Sequence, residues 1–549
     1  MLIYFKKMIF KKKKLFYLII TLISLIFVIF VSDKTFITDD YILLNFVIEN
    51  SIKDFFSQNY FYINYYRPLS YLIFYLNYLI FGTKPFGFYL FNIAFHLIST
   101  MLFYNFLLLL KKELNLSAVN IYFASLIFLL YPQNLTNVFW ISGRPEIVVF
   151  IFVLVSVILF VYFLEYQKRY YIIFSYLFFI PALLIKENAV LFPFYLILVF
   201  CIKDYYLRNI RNIIYLGLYL LIILLYIVFR LLILKSQIKF FALENLSDFN
   251  YLLKALLNQV FVFFTLFDTY DFYHSLKNTP IFTLLILSLN LFIVLTFFYY
   301  IIKLKLSKQF IIIFLGFLSF SLYLFLAYPF FRYLYFHTPF IIISFLLVFK
   351  KIKLKRIQNI FITFLLFLFI TGNFNIYKTF THIRNYSLLL LNSFKENKVR
   401  FCENDIYYLI PTISRVGHFA VYPDFNFLFY FSINQKLDGK YKNFYSFPFI
   451  EISIFDDLQN LIKYKSLDEK SFVISSVGTG LLTNKLKTSD INEEKNFDAI
   501  LEVPERWRKD YSKKIKVIFK NVDCIDKIKV IYFDRGKLSI NTLSNFLEK

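Results

Sequence analysis

The stretch LFYLIITLISLIFVIFVS, residues 15–32, contains no charged side chain. A helix needs about 20 predominantly apolar residues to cross a hydrocarbon core of about 30 Å. Apolar runs of similar length recur along the first two-thirds of the chain, which has 549 residues and is 59% hydrophobic. The sequence therefore predicts an all-α polytopic membrane protein.

The residues that precede this stretch predict its orientation. The chain begins MLIYFKKMIFKKKK, residues 1–14, with six lysines. Lys and Arg collect in the cytoplasmic segments of membrane proteins, and no small-residue cleavage site follows the apolar run. We therefore expect an uncleaved anchor with a cytoplasmic N-terminus.

We predict about eleven transmembrane helices in all. Their ranges are 15–32, 86–110, 117–132, 147–164, 170–185, 189–202, 212–235, 281–302, 309–327, 338–349 and 357–372. Two further apolar stretches, 69–82 and 250–267, are expected to lie flat on the membrane or to be re-entrant. The first of them lies in the first outer loop, where we predict interfacial helices. With this assignment the inner segments hold 21 Lys and Arg in 46 residues and the outer segments hold 10 in 125, as the orientation rule requires.

An odd number of spans places the tail outside the membrane, on the extracytoplasmic face. Its composition is charged and mixed, and short runs rich in β-branched residues, SFVISSV, KIKVIFK and KIKVIYF, alternate with polar segments. We predict a transmembrane domain over residues 1–372 and a soluble α/β domain over residues 373–549. No motif in the tail indicates its chemistry.

The formal net charge of +25 raises the question of nucleic-acid binding, because clustered Lys and Arg neutralise phosphates. The cytoplasmic loops of a polytopic protein explain the same excess. No basic helix with a base-reading pattern is present, so we predict no nucleic-acid partner.

Ionisable residues are nearly absent from the predicted spans, where they are costly and usually functional. Arg230 lies toward an outer end of its span, and His96 is the main deep exception. Ionisable residues collect instead at the outer ends, at Asp39, Asp40, Tyr66, Arg67, Arg144, Glu146, Lys186, Glu187 and Arg332. A transporter would be expected to place charges and broken helices near the midplane. The distribution favours chemistry at the outer boundary of the membrane.

Group transfer from a lipid phosphate suits acids and bases at that depth. The lipid tail stays in the bilayer, the phosphate lies at headgroup level and the sugar projects outward. Breaking the anomeric C–O bond leaves negative charge on the phosphate, which an Arg fork stabilises. The acceptor hydroxyl is a weak nucleophile, so a carboxylate must take its proton.

Several stretches in the first part of the chain resemble the polytopic lipid-phosphate-sugar glycosyltransferases of the GT-C fold. In chain order they are the acid pair of FITDDYILL, YYRPLSYLIFYLNYLIFGTKPFGFYLFNIAFHL, LLYPQNLTNVFWISGRPEIVVF, LLIKENAVLFP and FRYLYFHTPF. The group includes protein O-mannosyltransferases and the aminoarabinose transferases of lipid A (glycosyltransferase family 39 type). The likeness covers roughly residues 15–345 and leaves out the tail.

The resemblance implies roles for individual residues. Asp39 matches the catalytic acid, as general base on the acceptor, and Asp40 its second acid. Arg67 and Arg332 stand at phosphate-contacting positions. Lys186 and Arg144 are further candidates for the donor phosphate, and the remaining pocket candidates are Tyr66, Glu146, Glu187, His96, Tyr333 and Tyr335. Tyr66, where the aminoarabinose enzymes have an acid, and Asn137, where the pattern often has Glu, depart from the family.

Plainer roles remain open for the same residues. The aspartates could cap an interfacial helix or hold a divalent metal ion, although no third carboxylate is near in sequence. Arg67 could reach lipid headgroups, Arg144, Lys186 and Arg332 could be boundary anchors or ion-pair partners of Glu146 or Glu187, and His96 with Asn92 could bond between helices.

The predicted function is an inverting glycosyltransferase, in a bacterial inner membrane, that uses a polyprenyl-phosphate sugar and a protein, lipid or polysaccharide acceptor. A transporter of lipid-linked glycans and a non-catalytic membrane scaffold are the alternatives.

Overall fold

We describe a computed structural model of the protein. In the helical part it describes residues 2–31, 35–37, 39–57, 66–203, 210–233, 263, 280–303, 307–321, 331–352 and 355–396. In the tail it describes residues 406–416, 419–420, 444–452, 462–468, 471–476, 481–482, 499–502, 511–512, 514–519, 528–534, 537–542 and 545.

Helices account for the part of the chain that carries the apolar runs. They are α1 (Leu2–Ile29), α2 (Asp39–Glu49), α3 (Ile52–Ser57), α4 (Pro68–Phe81), α5 (Pro85–Leu109), α6 (Ala118–Leu130), α7 (Pro132–Val138), α8 (Arg144–Tyr166), α9 (Arg169–Ile185), α10 (Phe192–Ile202), α11 (Ile210–Ile233), α12 (Pro280–Lys303), α13 (Ser307–Ser321), α14 (Thr338–Lys351) and α15 (Lys355–Glu396). Short 3-10 helices lie at Ile141–Gly143, Glu187–Leu191 and Phe331–Phe336.

Proline marks where several of these helices begin. It occupies the first or second position of α4, α5, α7, α8, α10 and α14. Its missing N–H is no loss there, because the first amides of a helix have no intrahelical partner. Pro132 thereby ends α6 and starts α7, and the pair bends by 53°.

Length and hydropathy identify the membrane-crossing helices. Among the described residues, four helical segments are long and apolar enough to cross a bilayer: Pro85–Leu109, Ile141–Tyr166, Ile214–Ile233 and Gln358–Asn385. The bent pair α6–α7 makes a fifth if it is one span. Described helical residues lie within each of the eleven predicted spans, but several of these helices are shorter than a crossing needs, so the number eleven stays a prediction.

Helices α8 and α9 form an antiparallel pair that positions the candidate site. Gln167 connects them in a left-handed conformation, with φ of 53°. Near mid-length the hydroxyl of Ser156 donates to the Ser175 carbonyl at 2.8 Å, and that of Ser175 donates to the Ser156 carbonyl at 2.6 Å. These small side chains bring the two helices close together.

The tail contains strands at all three runs that suggested them. They are β1 (Ile406–Val416), β2 (Phe419–Ala420), β3 (Phe444–Ile452), β4 (Ile462–Asp468), β5 (Ser471–Ser476), β6 (Leu481–Leu482), β7 (Ala499–Glu502), β8 (Tyr511–Ser512), β9 (Lys514–Phe519), β10 (Ile528–Asp534) and β11 (Lys537–Thr542).

The described strands form two sheets. One has the order β11-β10-β1-β3-β6-β8, with β2 against β1, and the other has the order β4-β5-β9-β7. Strand β1 runs parallel to both β10 and β3. Parallel neighbours need long crossover connections, and between β1 and β3 the residues 421–443 lie outside the described residues. The helical part of the predicted α/β domain therefore stays a prediction.

The chain divides into two compact units. One comprises Met1–Lys34 and Phe46–Tyr377, and the other Thr35–Asn45 and Lys378–Lys549. Helix α15 continues through the predicted domain boundary at residue 372.

Candidate functional site

Charged and polar side chains gather at both ends of α8. Glu146 lies in its first turn and Glu165 in its last, which separates them by about 28 Å at the rise of an α-helix. The first group, here called the Glu187 cluster, comprises Arg67, Glu146, Lys186, Glu187, Asn188, Tyr226, Arg230 and Tyr333. The second, the Lys203 cluster, comprises Glu113, Glu165 and Lys203.

Arg67 and Glu187 form the central ion pair of the Glu187 cluster. Arg67 immediately precedes Pro68 at the start of α4, and Glu187 follows α9. The Arg67 Nε donates to Glu187 Oε2 at 2.9 Å, and Nη2 donates to Oε1. This parallel geometry is the one that guanidinium adopts with carboxylate or phosphate. The Arg67 fork thus already holds an anionic group.

Lys186 and Glu146 form a second ion pair beside the first. The Lys186 ammonium donates to Glu146 Oε1, while the amide of Asn188 donates to Glu146 Oε2 at 2.6 Å. Lys186 also lies 4.9 Å from the centre of the Tyr333 ring, as a cation–π contact. The structure therefore brings together five of the predicted residues: Arg67, Glu146, Lys186, Glu187 and Tyr333.

Arg230, near the end of α11, adds a third cation. It acts electrostatically on Glu187 and on Tyr226, one turn earlier on the same helix. Sequence reasoning noted Arg230 only as lying toward an outer end, and it missed Asn188 and Tyr226. The charge of Arg230 in an otherwise apolar run was the available signal. Nothing in the sequence distinguishes Tyr226 from the other 44 of the 45 tyrosines.

Burial and charge oppose each other within this cluster. Burial alone would raise the pKa of Glu187, but the Arg67 guanidinium, with Arg230 and Lys186, holds it well below its ordinary value. Burial lowers the pKa of Lys186, and the Glu146 carboxylate opposes that shift. Glu187 is therefore a carboxylate anion at neutral pH.

Arg144 has a structural set of contacts. Its guanidinium donates to Asn92 Oδ1 and Asn77 Oδ1, each at 2.6 Å, and to the Phe88 carbonyl at 2.9 Å. These bonds tie the start of α8 to α4 and α5, and Arg144 is only 2% exposed. This geometry favours a structural role over the predicted contact with donor phosphate.

His96 and Asn92 bond between helices, although not to each other. His96 Nε2 lies 3.0 Å from the Leu129 carbonyl, which can only accept, so Nδ1 accepts from the Tyr335 hydroxyl at 2.7 Å. Asn92 donates to the carbonyls of Asn137 and Trp140. This supports the plainer role for His96 and assigns Tyr335 to the same contact.

The predicted catalytic aspartates begin α2. Asp40 is fully buried, and its Oδ2 accepts from the Ile37 amide at 3.1 Å, which closes the first turn of the helix. The carboxylate reaches back to an amide three residues earlier, as the acid of a capping box does, so the aspartate has a structural contact at the helix start. The Asp39 side chain lies outside the described residues. Both aspartates belong to the compact unit that contains the tail, so the structure leaves their catalytic role a prediction.

The other predicted residues lie near the Glu187 cluster in sequence or in space. Tyr66 is buried, and its hydroxyl donates to the Phe56 carbonyl at 3.2 Å. The backbone of Arg332 lies in the 3-10 helix Phe331–Phe336, but its side chain is outside the described residues. Within the described part of the chain, no group of three or more His, Cys, Asp or Glu residues could hold a metal ion.

The Lys203 cluster connects three helix ends at the other end of α8. Lys203, after α10, donates to Glu113 Oε1 at 2.5 Å and to Glu165 Oε1 at 2.8 Å. Burial alone would lower the pKa of Lys203, but these two carboxylates raise it above its ordinary value. Sequence reasoning identified none of these three residues as an interacting group.

Comparison with known proteins gives two partial matches. Over 97 residues, 17% of this chain, the sequence is 36% identical to a protein O-mannosyl-transferase of Caenorhabditis elegans, and the match covers 14% of that protein. Over 91 residues it is 35% identical to the protein O-mannosyl-transferase TMTC3 of Homo sapiens, of which it covers 9%. The chain thus matches about a seventh or less of the length of these relatives. No protein-family model matches it.

Proposed function

We propose that this protein is an integral-membrane glycosyltransferase of the GT-C type. It transfers one sugar from a polyprenyl-phosphate carrier to a hydroxyl of a protein, lipid or polysaccharide acceptor. Transfer takes place on the extracytoplasmic face of a bacterial inner membrane, with the N-terminus in the cytoplasm and the tail domain outside. The partial similarity to O-mannosyl-transferases supports a glycosyltransferase.

The observation that carries the proposal is the Glu187 cluster. It gathers Arg67, Lys186 and Arg230 at the end of a helix long enough to cross a bilayer. Cations at that depth suit a lipid phosphate, whose charge is at headgroup level while its tail is in the hydrocarbon. The guanidinium of Arg67 already binds one oxyanion in the fork geometry that phosphate also fits.

The chemical step is an in-line displacement at the anomeric carbon. The acceptor oxygen forms the new bond, the C–O bond to the phosphate breaks, and its electron pair leaves on the phosphate oxygen. Asp39 takes the acceptor proton, and Asp40 orients the acceptor or donor. Arg67 and Lys186, with Arg332, stabilise the charge that develops on the departing phosphate. Attack from the face opposite the phosphate inverts the anomeric configuration.

Asp39→Asn tests the assignment of the general base. In membranes that contain a labelled polyprenyl-phosphate sugar, we expect it to lower transfer by at least about 100-fold without lowering the amount of protein. Asp54→Asn is the matched control, because Asp54 caps α3 by accepting from the amide and hydroxyl of Ser51. It should lower stability slightly and leave transfer near the wild-type rate.

Full transfer by the Asp39→Asn protein would remove the catalytic assignment. Movement of the lipid-linked sugar across the bilayer without a new glycosidic bond would instead identify a transporter.

A further inference from the structure

Tyr226 has a buried hydroxyl with no hydrogen-bond partner among the residues that the structure describes. The side chain lies in α11, and the residue is only 7% exposed. Buried polar groups are nearly always hydrogen-bonded in folded proteins, because an unmade bond leaves the cost of desolvation uncompensated. The hydroxyl of Tyr226 is therefore available to a group that binds from outside the chain.

The surroundings of Tyr226 indicate the charge of that group. Arg230, Glu187 and Arg67 all act electrostatically on its hydroxyl. Among the described residues, the Glu187 cluster holds three cations and two carboxylates, which leaves one net positive charge. A phosphodiester carries one negative charge and would neutralise the cluster.

Asn188 offers a second unpartnered group in the same cluster. Its Nδ2 donates to Glu146 Oε2, and because a carboxylate can only accept, this bond fixes the orientation of the amide. The carbonyl Oδ1 is fully buried and has no partner within the described residues. The cluster thus presents a hydroxyl that can donate and a carbonyl that can accept, as a phosphate joined to a sugar requires.

We propose that Tyr226 is a ligand-binding residue whose hydroxyl donates a hydrogen bond to the phosphodiester of a lipid held beside Arg67 and Arg230. The bound phosphate takes part of the Arg67 fork from Glu187. Identification of this lipid as the sugar donor rests on the proposed function, whereas binding of the phosphodiester does not.

Tyr226→Phe tests the inference because it removes only the hydroxyl. The full-length protein in phosphatidylcholine nanodiscs is titrated with a short-chain polyprenyl-phosphate sugar, and its melting temperature is measured without ligand. We expect binding to weaken about tenfold, as for a lost hydrogen bond to a charged group. The melting temperature should stay unchanged or rise, because no bond of the unliganded protein is lost.

Tyr219→Phe is the matched control on the same helix. The Tyr219 hydroxyl lies 2.5 Å from that of Ser175 and is fully buried. Its removal should lower the melting temperature and leave binding unchanged. If Tyr226→Phe behaves like this control, or changes neither quantity, Tyr226 is a packing residue and the inference is overturned. Loss of both binding and stability in both variants would also overturn it.

Two further arms separate this inference from the proposed function. If the wild-type protein binds the probe but no acceptor receives sugar, the proposed function fails and the role of Tyr226 stands. If phosphatidylglycerol in the nanodisc competes with the probe, Tyr226 binds a phosphodiester that bulk lipid can also supply. Absence of any binding to the wild-type protein would overturn the inference.

Discussion

The Glu187 cluster and the Lys203 cluster lie at opposite ends of α8, and both pair a buried lysine with glutamate. They differ in net charge and in the kind of polar atom that has no partner among the described residues. In the Lys203 cluster two carboxylates share one ammonium, and the atom without a partner within the described residues is Glu113 Oε2, an acceptor. Among the described residues of the Glu187 cluster, cations exceed carboxylates and the hydroxyl of Tyr226 has no hydrogen-bond partner.

This difference separates a structural contact from a binding site. A group with excess negative charge repels phosphate, and the ion pairs of Lys203 with Glu113 and Glu165 instead hold three helix ends together. A group with excess positive charge and a spare donor attracts an anion. The presence of ion pairs does not distinguish the two clusters, because a buried charge needs a partner to offset its desolvation whether its role is structural or functional.

Lys203→Met should have the largest effect on stability. It leaves Glu113 and Glu165 next to each other without a cation, and removal of one partner from a buried ion pair costs about 4 kcal/mol. We expect this loss in the free energy of unfolding, measured in detergent, with lipid-phosphate binding unchanged in the protein that remains folded. Lys168→Met, at an exposed lysine of the α8–α9 turn, should change stability by less than about 0.5 kcal/mol. Weaker binding in Lys203→Met would show that the two clusters are coupled.

Arg67→Lys tests whether the Glu187 cluster binds phosphate. Lysine keeps the positive charge beside Glu187 but lacks the planar fork, so it cannot bond Glu187 and a phosphate side by side as the guanidinium can. Binding of the polyprenyl-phosphate sugar should weaken about tenfold, which is about 1.4 kcal/mol. Arg144→Lys is the matched control, because its bonds to Asn92, Asn77 and the Phe88 carbonyl are structural. It should lower the melting temperature without weakening binding, and the reverse result would exchange the roles of the two arginines.

Much of the helical part was predictable, because hydropathy and helix formation coincide in long apolar runs. The coincidence fails at the ends. Helix α1 begins at Leu2 instead of residue 15, and α15 ends at Glu396 instead of residue 372. Polar residues continue a helix, and α15 runs even through Gly372, whereas a hydropathy window ends where the membrane would. The apolar runs therefore located the helices better than their ends.

The sequence allowed several residues of the candidate site to be predicted, but not which of them pair with each other. Charge near the end of an apolar run drew attention to Arg67, Lys186 and Glu187. The pairing of Arg67 with Glu187 joins positions 120 residues apart, which depends on how α4 packs with α9. Arg144 and Lys186 both lie near the end of an apolar run, so the sequence does not distinguish them. Their partners do: Arg144 donates to amide oxygens and has a structural role, whereas Lys186 donates to a carboxylate within the candidate site.

The smallest effect we predict is a pH dependence at the Glu187 cluster. Because Arg67 holds the pKa of Glu187 below its ordinary value of 4.5, the pair contributes its full stability above pH 4.5 and loses it as pH falls toward the lowered pKa. Between pH 7 and pH 4 the wild-type protein should lose about 0.8 kcal/mol from this group. The Glu187→Gln protein should not show this loss of about 0.8 kcal/mol, because it has no carboxylate to protonate at this position. The free energy of unfolding of the wild-type protein should therefore approach that of the variant as pH falls. An equal pH dependence in both proteins would mean that the pKa of Glu187 is the same in the folded and unfolded states, so that Arg67 does not stabilise its carboxylate.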